Sequence, residues 1–232
     1  MTDNRGKSDM RSGLMAVEDT IKRIKEIGIV PVVRAANIDE ARQAINAICA
    51  GGIPIIEVTM TVPDAPAMIR ELVQQYGEQV LTGAGTVTTA RQAEICLESG
   101  AQFLVSPGLS VPVLQTAAKH GILAIPGALT PTEVMAALEA GARVIKIFPS
   151  GSAGGAKHLK ALRAPFPDTP FIPTGSVNLS NAAEYIAAGA FALGVGADLV
   201  DLAALRRNES QKIVEMAKSL IETVRLARPK PG

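Results

Sequence analysis

The 232-residue chain has no tryptophan, two tyrosines and five phenylalanines, so aromatic residues make up only 3% of it. That scarcity removes the stacking surfaces on which single-stranded nucleic acid is held. Charge of one sign is also missing: 23 Lys and Arg face 22 Asp and Glu, a formal net charge of +1. The electrostatic case for a polyanion-binding protein therefore fails, and no nucleic-acid partner is expected. Cys49 and Cys96 lie in helix-like patterns with no CxxC or Cys/His cluster. They argue against a disulfide scaffold or a zinc site and fit a reducing compartment. No apolar run approaches the length of a bilayer span, so no membrane partner is expected. The opening MTDNRGKSDMRSG is polar and lacks the apolar core of a signal peptide. It reads as a disordered tail over residues 1–15, and the chain as a soluble, cytoplasmic protein.

What is present is regular. Apolar residues reach 47%, ordinary for a globular chain and enough for a sizeable core. Short β-branched runs occur at 29–34 (IVPVVR), 53–58 (IPIIEV), 79–81, 102–105, 122–125, 143–148 (RVIKIF), 170–173 and 191–195. Ala-rich stretches of helical period lie between them, for example 38–50, 65–76, 90–99, 132–140 and 181–188. The runs start about every 20 to 27 residues, the length of a strand, a helix and two short loops. Helix-like segments end in Gly, and strands lead into cap-like residues such as Thr130-Pro131-Thr132-Glu133 and Asn178-Leu179-Ser180-Asn181. Near-continuous apolar strands imply a parallel sheet covered on both faces by helices. A doubly wound dinucleotide fold would carry G-x-G-x-x-G after its first strand; here that place reads Arg34-Ala35-Ala36-Asn37. The expectation is an α/β chain forming a single (β/α)8 barrel over residues 16–232, with an additional helix at each end.

Ligands of parallel barrels sit at the C-terminal ends of the strands. Two charged residues there break the pattern. Lys146 lies within VIKIF, where neither face of the strand offers bulk water. It is either a lysine snorkelling to the rim or paired with a carboxylate, or an amine desolvated toward a pKa of ~7–8 and nucleophilic toward carbonyls. Glu57 closes the apolar run IPII. It is either an ion-pair partner for Lys146 or Arg34, or a general acid/base whose pKa burial raises. Together they suit Schiff-base chemistry. Two Gly-rich ends follow the seventh and eighth strands, Thr174-Gly175-Ser176 and Gly194-Val195-Gly196-Ala197. They are either tight turns or a phosphate cradle of backbone amides at the start of a short helix. His120 and His158 read as surface residues, and Lys157, Lys160 and Arg163 as a solvated helix face. The cysteines and methionines read as core filling.

From about residue 27 to 199 the sequence resembles the bacterial 2-keto-3-deoxy-6-phosphogluconate (KDPG) and 4-hydroxy-2-oxoglutarate (KHG) aldolases. The stretches that carry the likeness are IVPVVRA, GGIPIIEVTMTVP, TGAGTVT, GAQFLVSPGL, IPGALTPTEVMAALEAGARVIKIFPS and PFIPTGSV. The resemblance implies a homotrimeric class I lyase acting on a small keto acid, without metal or other cofactor. It makes Lys146 the Schiff-base lysine and Glu57 the acid/base. It implies that Thr86 and nearby backbone hold the pyruvate carboxylate and that Pro107 and Phe148 line the site. Thr174, Gly175, Ser176, Gly196 and Ala197 would take the phosphate. Two departures stand out. Thr61 occupies a place where many members carry Arg, and Arg34 resembles an arginine that substitutes for it in the phosphogalactonate branch. Ser176, Ala197 and Asp198 stand where other members have Gly or a hydroxyl. The expected reaction is cleavage of KDPG to pyruvate and glyceraldehyde 3-phosphate, with KHG cleavage to pyruvate and glyoxylate beside it. The alternatives are the phosphogalactonate epimer as substrate, or a phosphate-binding barrel that is not an aldolase.

Overall fold

A computed structural model describes the backbone of residues 4–229 and the side chains from residue 16 onward. A first helix, α1 (Asn4–Ile27), leads into the sheet. It begins inside the stretch expected as a tail over 1–15, so the polar opening is continuous with a helix from Asn4. There follow β1 (Ile29–Val33), α2 (Ile38–Ala50), β2 (Ile55–Thr59), α3 (Ala65–Tyr76), β3 (Leu81–Gly85), α4 (Ala90–Glu98) and β4 (Phe103–Val105). The second half continues with α5 (Val111–Lys119), β5 (Leu123–Ile125), β6 (Gly127–Ala128), α6 (Pro131–Glu139), β7 (Ile145–Ile147) and α7 (Gly155–Arg163). It ends with β8 (Phe171–Pro173), α8 (Ala182–Ala187), β9 (Leu193–Val195), α9 (Leu202–Arg206) and the amphipathic α10 (Gln211–Ala227).

The strands form a curled parallel sheet in two parts, one ordered β5-β4-β3-β2-β1-β9 and the other β6-β7-β8. Strands β1, β2 and β3 are buried at every position, because helices cover one face and opposing strands fill the other. The boundary at Pro126 has a local cause. Proline has no N–H to give the ladder, so β5 stops there and β6 resumes at Gly127.

Local signals account for the helix ends. Thr130 and Glu133 form a reciprocal capping box, and Pro131 takes the first position of α6. Gly100 and Gly141, at φ +93° and +91°, turn the chain out of α4 and α6. Two expectations change. The strand expected at 79–81 begins only at Leu81, since Gln79 closes a 3-10 turn, and β3 runs on through Thr82-Gly83-Ala84-Gly85, a sequence of low strand propensity held by its neighbours. The cap expected before α8 is displaced: Asn178 accepts from the amides of Ser180 and Asn181, while the Asn181 side chain turns back along the same β8–α8 connection, accepting from the Asn178 amide and donating to the Ser176 carbonyl.

Candidate active site

Lys146 is the middle residue of β7, in register with Gly127 on one side and Ile172 on the other. Alternation along the strand sends Ile145 and Ile147 toward the helices and Lys146 to the interior. Glu57 faces the same interior from β2, which belongs to the other part of the sheet. The lysine Nζ lies 3.8 Å from Glu57 Oε1, and the two side chains are only 5% and 3% exposed. Nζ also lies 5.2 Å from the centroid of the Phe148 ring, within reach of a cation–π attraction.

This pair is an ion pair in reach but not a closed one. The separation is too long for a hydrogen bond. Glu57 Oε1 is buried and has no hydrogen-bond partner among the described residues. Burial pushes the Glu57 carboxyl above the ordinary carboxylate range, and the positive charges of Lys146 and Arg34 only partly oppose that. Leaving such an acceptor unpartnered costs about 1–3 kcal/mol, an expense a purely structural pair would avoid by closing. The oxygen is poised to engage something else.

The remaining expected residues surround this pair at the strand ends. Arg34 follows β1 and is exposed, near enough for its charge to act on Glu57. Beside it, Thr59 donates from Oγ1 to the Val33 carbonyl at 3.0 Å, and Thr61 Oγ1 lies 2.7 Å from Thr59 Oγ1. The Thr59 hydroxyl proton is already used, so Thr61 is the donor of that bond. Thr59 thus ties the end of β2 to the end of β1, and Thr61 braces Thr59 and contributes no charge. Thr86, half-buried directly after β3, holds φ +58°, a region a β-branched residue rarely enters. Pro107 is half-buried after β4, and its carbonyl packs against Gly127 in β6.

The first glycine-rich end follows β8, which pairs with the Lys146 strand; the second follows β9, at the edge of the part that carries Glu57, and a bridge between Thr174 and Gly194 brings the two together. Thr174 is buried, Gly175 takes φ +93° and Ser176 takes φ +57°. This loop is laced to the one after β7. The Ser150 amide donates to the Thr174 carbonyl at 2.8 Å and the Gly151 amide to the Gly175 carbonyl at 3.0 Å. Asn181 Nδ2 donates to the Ser176 carbonyl at 2.8 Å. Phe148 packs against Gly175. The Gly196 carbonyl accepts from the amides of Leu199 and Val200, closing a turn where a helix start was expected. Helix α9 begins only at Leu202. The amides of Gly175, Ser176, Gly196 and Ala197 have no backbone partner among the described residues.

Other candidates stay apart. His120 pairs with Glu94 at 3.0 Å on the surface, whereas His158 is half-buried and bonded to the Leu129 carbonyl at 2.8 Å. Lys157 and Lys160 are exposed, but Arg163 is a staple, donating to the carbonyls of Gly189 and Pro167. Two residues near the rim carry roles that the sequence reading did not assign them. Tyr185 meets Ser150 in a buried hydroxyl pair at 3.1 Å, and Asn181 holds the Ser176 turn. A buried tyrosine and an asparagine near a helix start carry no distinctive signal in a sequence. Among the described residues, no helix is long and apolar enough to cross a membrane.

Comparison with known proteins finds relatives over most of the chain. The chain is 34% identical over 198 residues to the KHG/KDPG aldolase of Escherichia coli (strain K12), covering 85% of this chain and 92% of that one. It is 33% identical over 200 residues to the 2-dehydro-3-deoxy-6-phosphogalactonate aldolase of the same organism, covering 86% and 97%. Among solved structures it is similar to KDPG aldolase from Legionella pneumophila with pyruvate captured at low pH as a covalent carbinolamine intermediate. That match has a TM-score of 0.80 and 31% identity, over 86% of this chain and 97% of the other. Residues 20–216 match the family model described as KDPG and KHG aldolase, and the chain belongs to that family.

Proposed function

We propose that the protein is a class I aldolase that cleaves KDPG to pyruvate and glyceraldehyde 3-phosphate, with KHG as a second substrate. The observation that carries this reading is the interior pair of Lys146 and Glu57, 3.8 Å apart, with a Glu57 oxygen left unpartnered. Lys146, as the free amine, adds to C2 of the keto acid, and loss of water with uptake of a proton from solvent leaves the protonated imine, the electron sink. Glu57 takes the C4 hydroxyl proton as the C3–C4 bond breaks, and the bonding pair moves into the imine as an enamine. The aldehyde departs. Glu57 then returns the proton to C3, and water hydrolyses the imine to release pyruvate and the amine. No step calls for a metal.

Arg34 and Thr86 in this reading hold the substrate carboxylate, while Pro107 and Phe148 wall the reacting carbons. The amides of Gly175, Ser176, Gly196 and Ala197, with Thr174 beneath them, receive the phosphate. The two parts of the sheet are read as arcs of one closed (β/α)8 barrel. A parallel bridge between Thr174 and Gly194 links β8 to β9. Only Pro126 separates β5 from β6, so the two count as one strand. The family resemblance further supports a homotrimer, which light scattering tests, and the free Cys49 and Cys96 fit a cytoplasmic setting.

The deciding experiment is borohydride reduction in the presence of pyruvate, followed by peptide mass measurement. A reduced pyruvyl adduct is expected on Lys146. An adduct on Lys157 or Lys160, or none at all, would falsify the Schiff-base assignment. A second reading takes the C4 epimer, 2-keto-3-deoxy-6-phosphogalactonate, as the preferred substrate. Arg34 with Thr61 favours it, since the guanidinium stands at the end of β1 and none stands at the end of β2. The ratio of kcat/KM for the two epimers separates the readings.

A further inference from the structure

Gly85 ends β3 in register with Thr59, and its carbonyl accepts from the Met60 amide at 2.8 Å. It is buried and lies outside the positive-φ region, so its backbone would suit any residue. Glycine is nevertheless required there by space. A Cβ built on Gly85 would fall onto Glu57 Oε1, 2.6 Å from Cδ and 2.7 Å from Cγ of the same side chain. These are its three nearest neighbours, and all belong to Glu57. The carboxyl rests in the volume that any side chain at 85 would fill.

We infer that Gly85 is a positioning residue: its missing side chain forms the seat that holds the Glu57 carboxyl at proton-transfer distance from the reacting carbons. The inference rests on the reading of Glu57 as the acid/base and extends it to a neighbour. The seat explains the open geometry of the pair. With its carboxyl drawn over β3, Glu57 stays 3.8 Å from Lys146 instead of closing on it. Gly83, two residues earlier on the same face, gives the contrast. A Cβ there would strike the Phe103 ring, with Cε2 at 2.5 Å, and a packed aromatic ring cannot yield. The Glu57 end is flexible and can move. An added methyl at 85 is therefore expected to displace the carboxyl and spare the fold, whereas one at 83 disturbs the core.

The test compares Gly85→Ala, Glu57→Gln and the double variant. Gly85→Ala is expected to keep the borohydride-trapped pyruvate adduct on Lys146 and a Tm near that of the parent. Exchange of the pyruvate methyl protons in deuterated water and the kcat for cleavage should both fall by about 100-fold or more, toward the Glu57→Gln level. On the Glu57→Gln background, Gly85→Ala should change exchange by no more than about twofold, because the two act as one unit. Parent-like exchange in Gly85→Ala overturns the inference, and so does a double variant whose losses multiply. If Glu57→Gln itself exchanges like the parent, the acid/base reading has failed rather than the seat. Should Gly85→Ala not fold, Glu57→Ala/Gly85→Ala decides. Recovery of folding supports the steric seat, and continued misfolding overturns it.

Discussion

At the end of β3 and after β8 the chain uses small residues for different physical reasons. Gly85 has an ordinary backbone and is needed because a side chain of β2 lies on it. Gly175, at φ +93°, is needed because the chain must turn, and Ser176 follows it at φ +57° with its carbonyl tied to Asn181. The first is a demand for space beside the reacting pair. The second is a demand for conformation, which exposes amides at the rim. Substitutions near β2 and β3 should therefore change kcat, and substitutions near 175–181 should change how the far end of the substrate is held.

The largest expected effect belongs to neither region alone but to the amine between them. Lys146→Arg should reduce cleavage to background and abolish the borohydride adduct, since a guanidinium forms no imine. Detectable turnover in that variant would break the comparison at its root. Next comes Glu57→Gln, expected to lower cleavage and methyl-proton exchange by about 10²–10⁴ while still forming the pyruvate imine. Parent-rate exchange there would make Glu57 a structural partner of Lys146.

Arg34→Ala should raise KM for pyruvate-type keto acids on the order of tenfold, the scale of one charge-assisted hydrogen bond. It should also move the acidic limb of the kcat/KM profile to higher pH. The sign follows from Glu57, which must be ionised to act as base. Arg34 holds its raised pKa down, and removing that charge lets it climb further. An unchanged KM and limb would place the carboxylate elsewhere, on Thr86 and backbone.

The smallest effects belong to the rim. Asn181→Ala should raise KM about threefold for phosphorylated substrates and leave KHG unchanged, because it frees the Ser176 turn and touches nothing near Lys146. Ala197→Ser should improve the preference for phosphorylated acids by a few-fold, adding a hydroxyl beside amides with no backbone partner. Equal effects on KHG and KDPG would sink the division between the two regions.

Much of this was legible in the chain. The spacing of apolar runs marked the strands other than β6 and most of β3, because burial on both faces demands continuous β-branched sequence. Lys146 and Glu57 stood out because each interrupts such a run. Other features were not legible, and the reason is range. Strand propensity is local, so the run at 79–81 gives no sign that β3 continues through Thr82-Gly83-Ala84-Gly85, whose glycines make room for Phe103 and Glu57. The asparagine at 181 looked like a helix cap until the Ser176 carbonyl came within reach.

The sequence by itself determined the alternation of strand and helix, the caps at Thr130 and Gly100, the family, and the two charged residues worth watching. Each depends on contacts within a few residues or on motifs read directly. Only the tertiary structure decided that Lys146 and Glu57 face each other across the interior at 3.8 Å, and that Gly85 supplies the carboxyl with its place. Those facts depend on which strands curl opposite one another, and a distance across a curled sheet is set by packing, which no local pattern encodes.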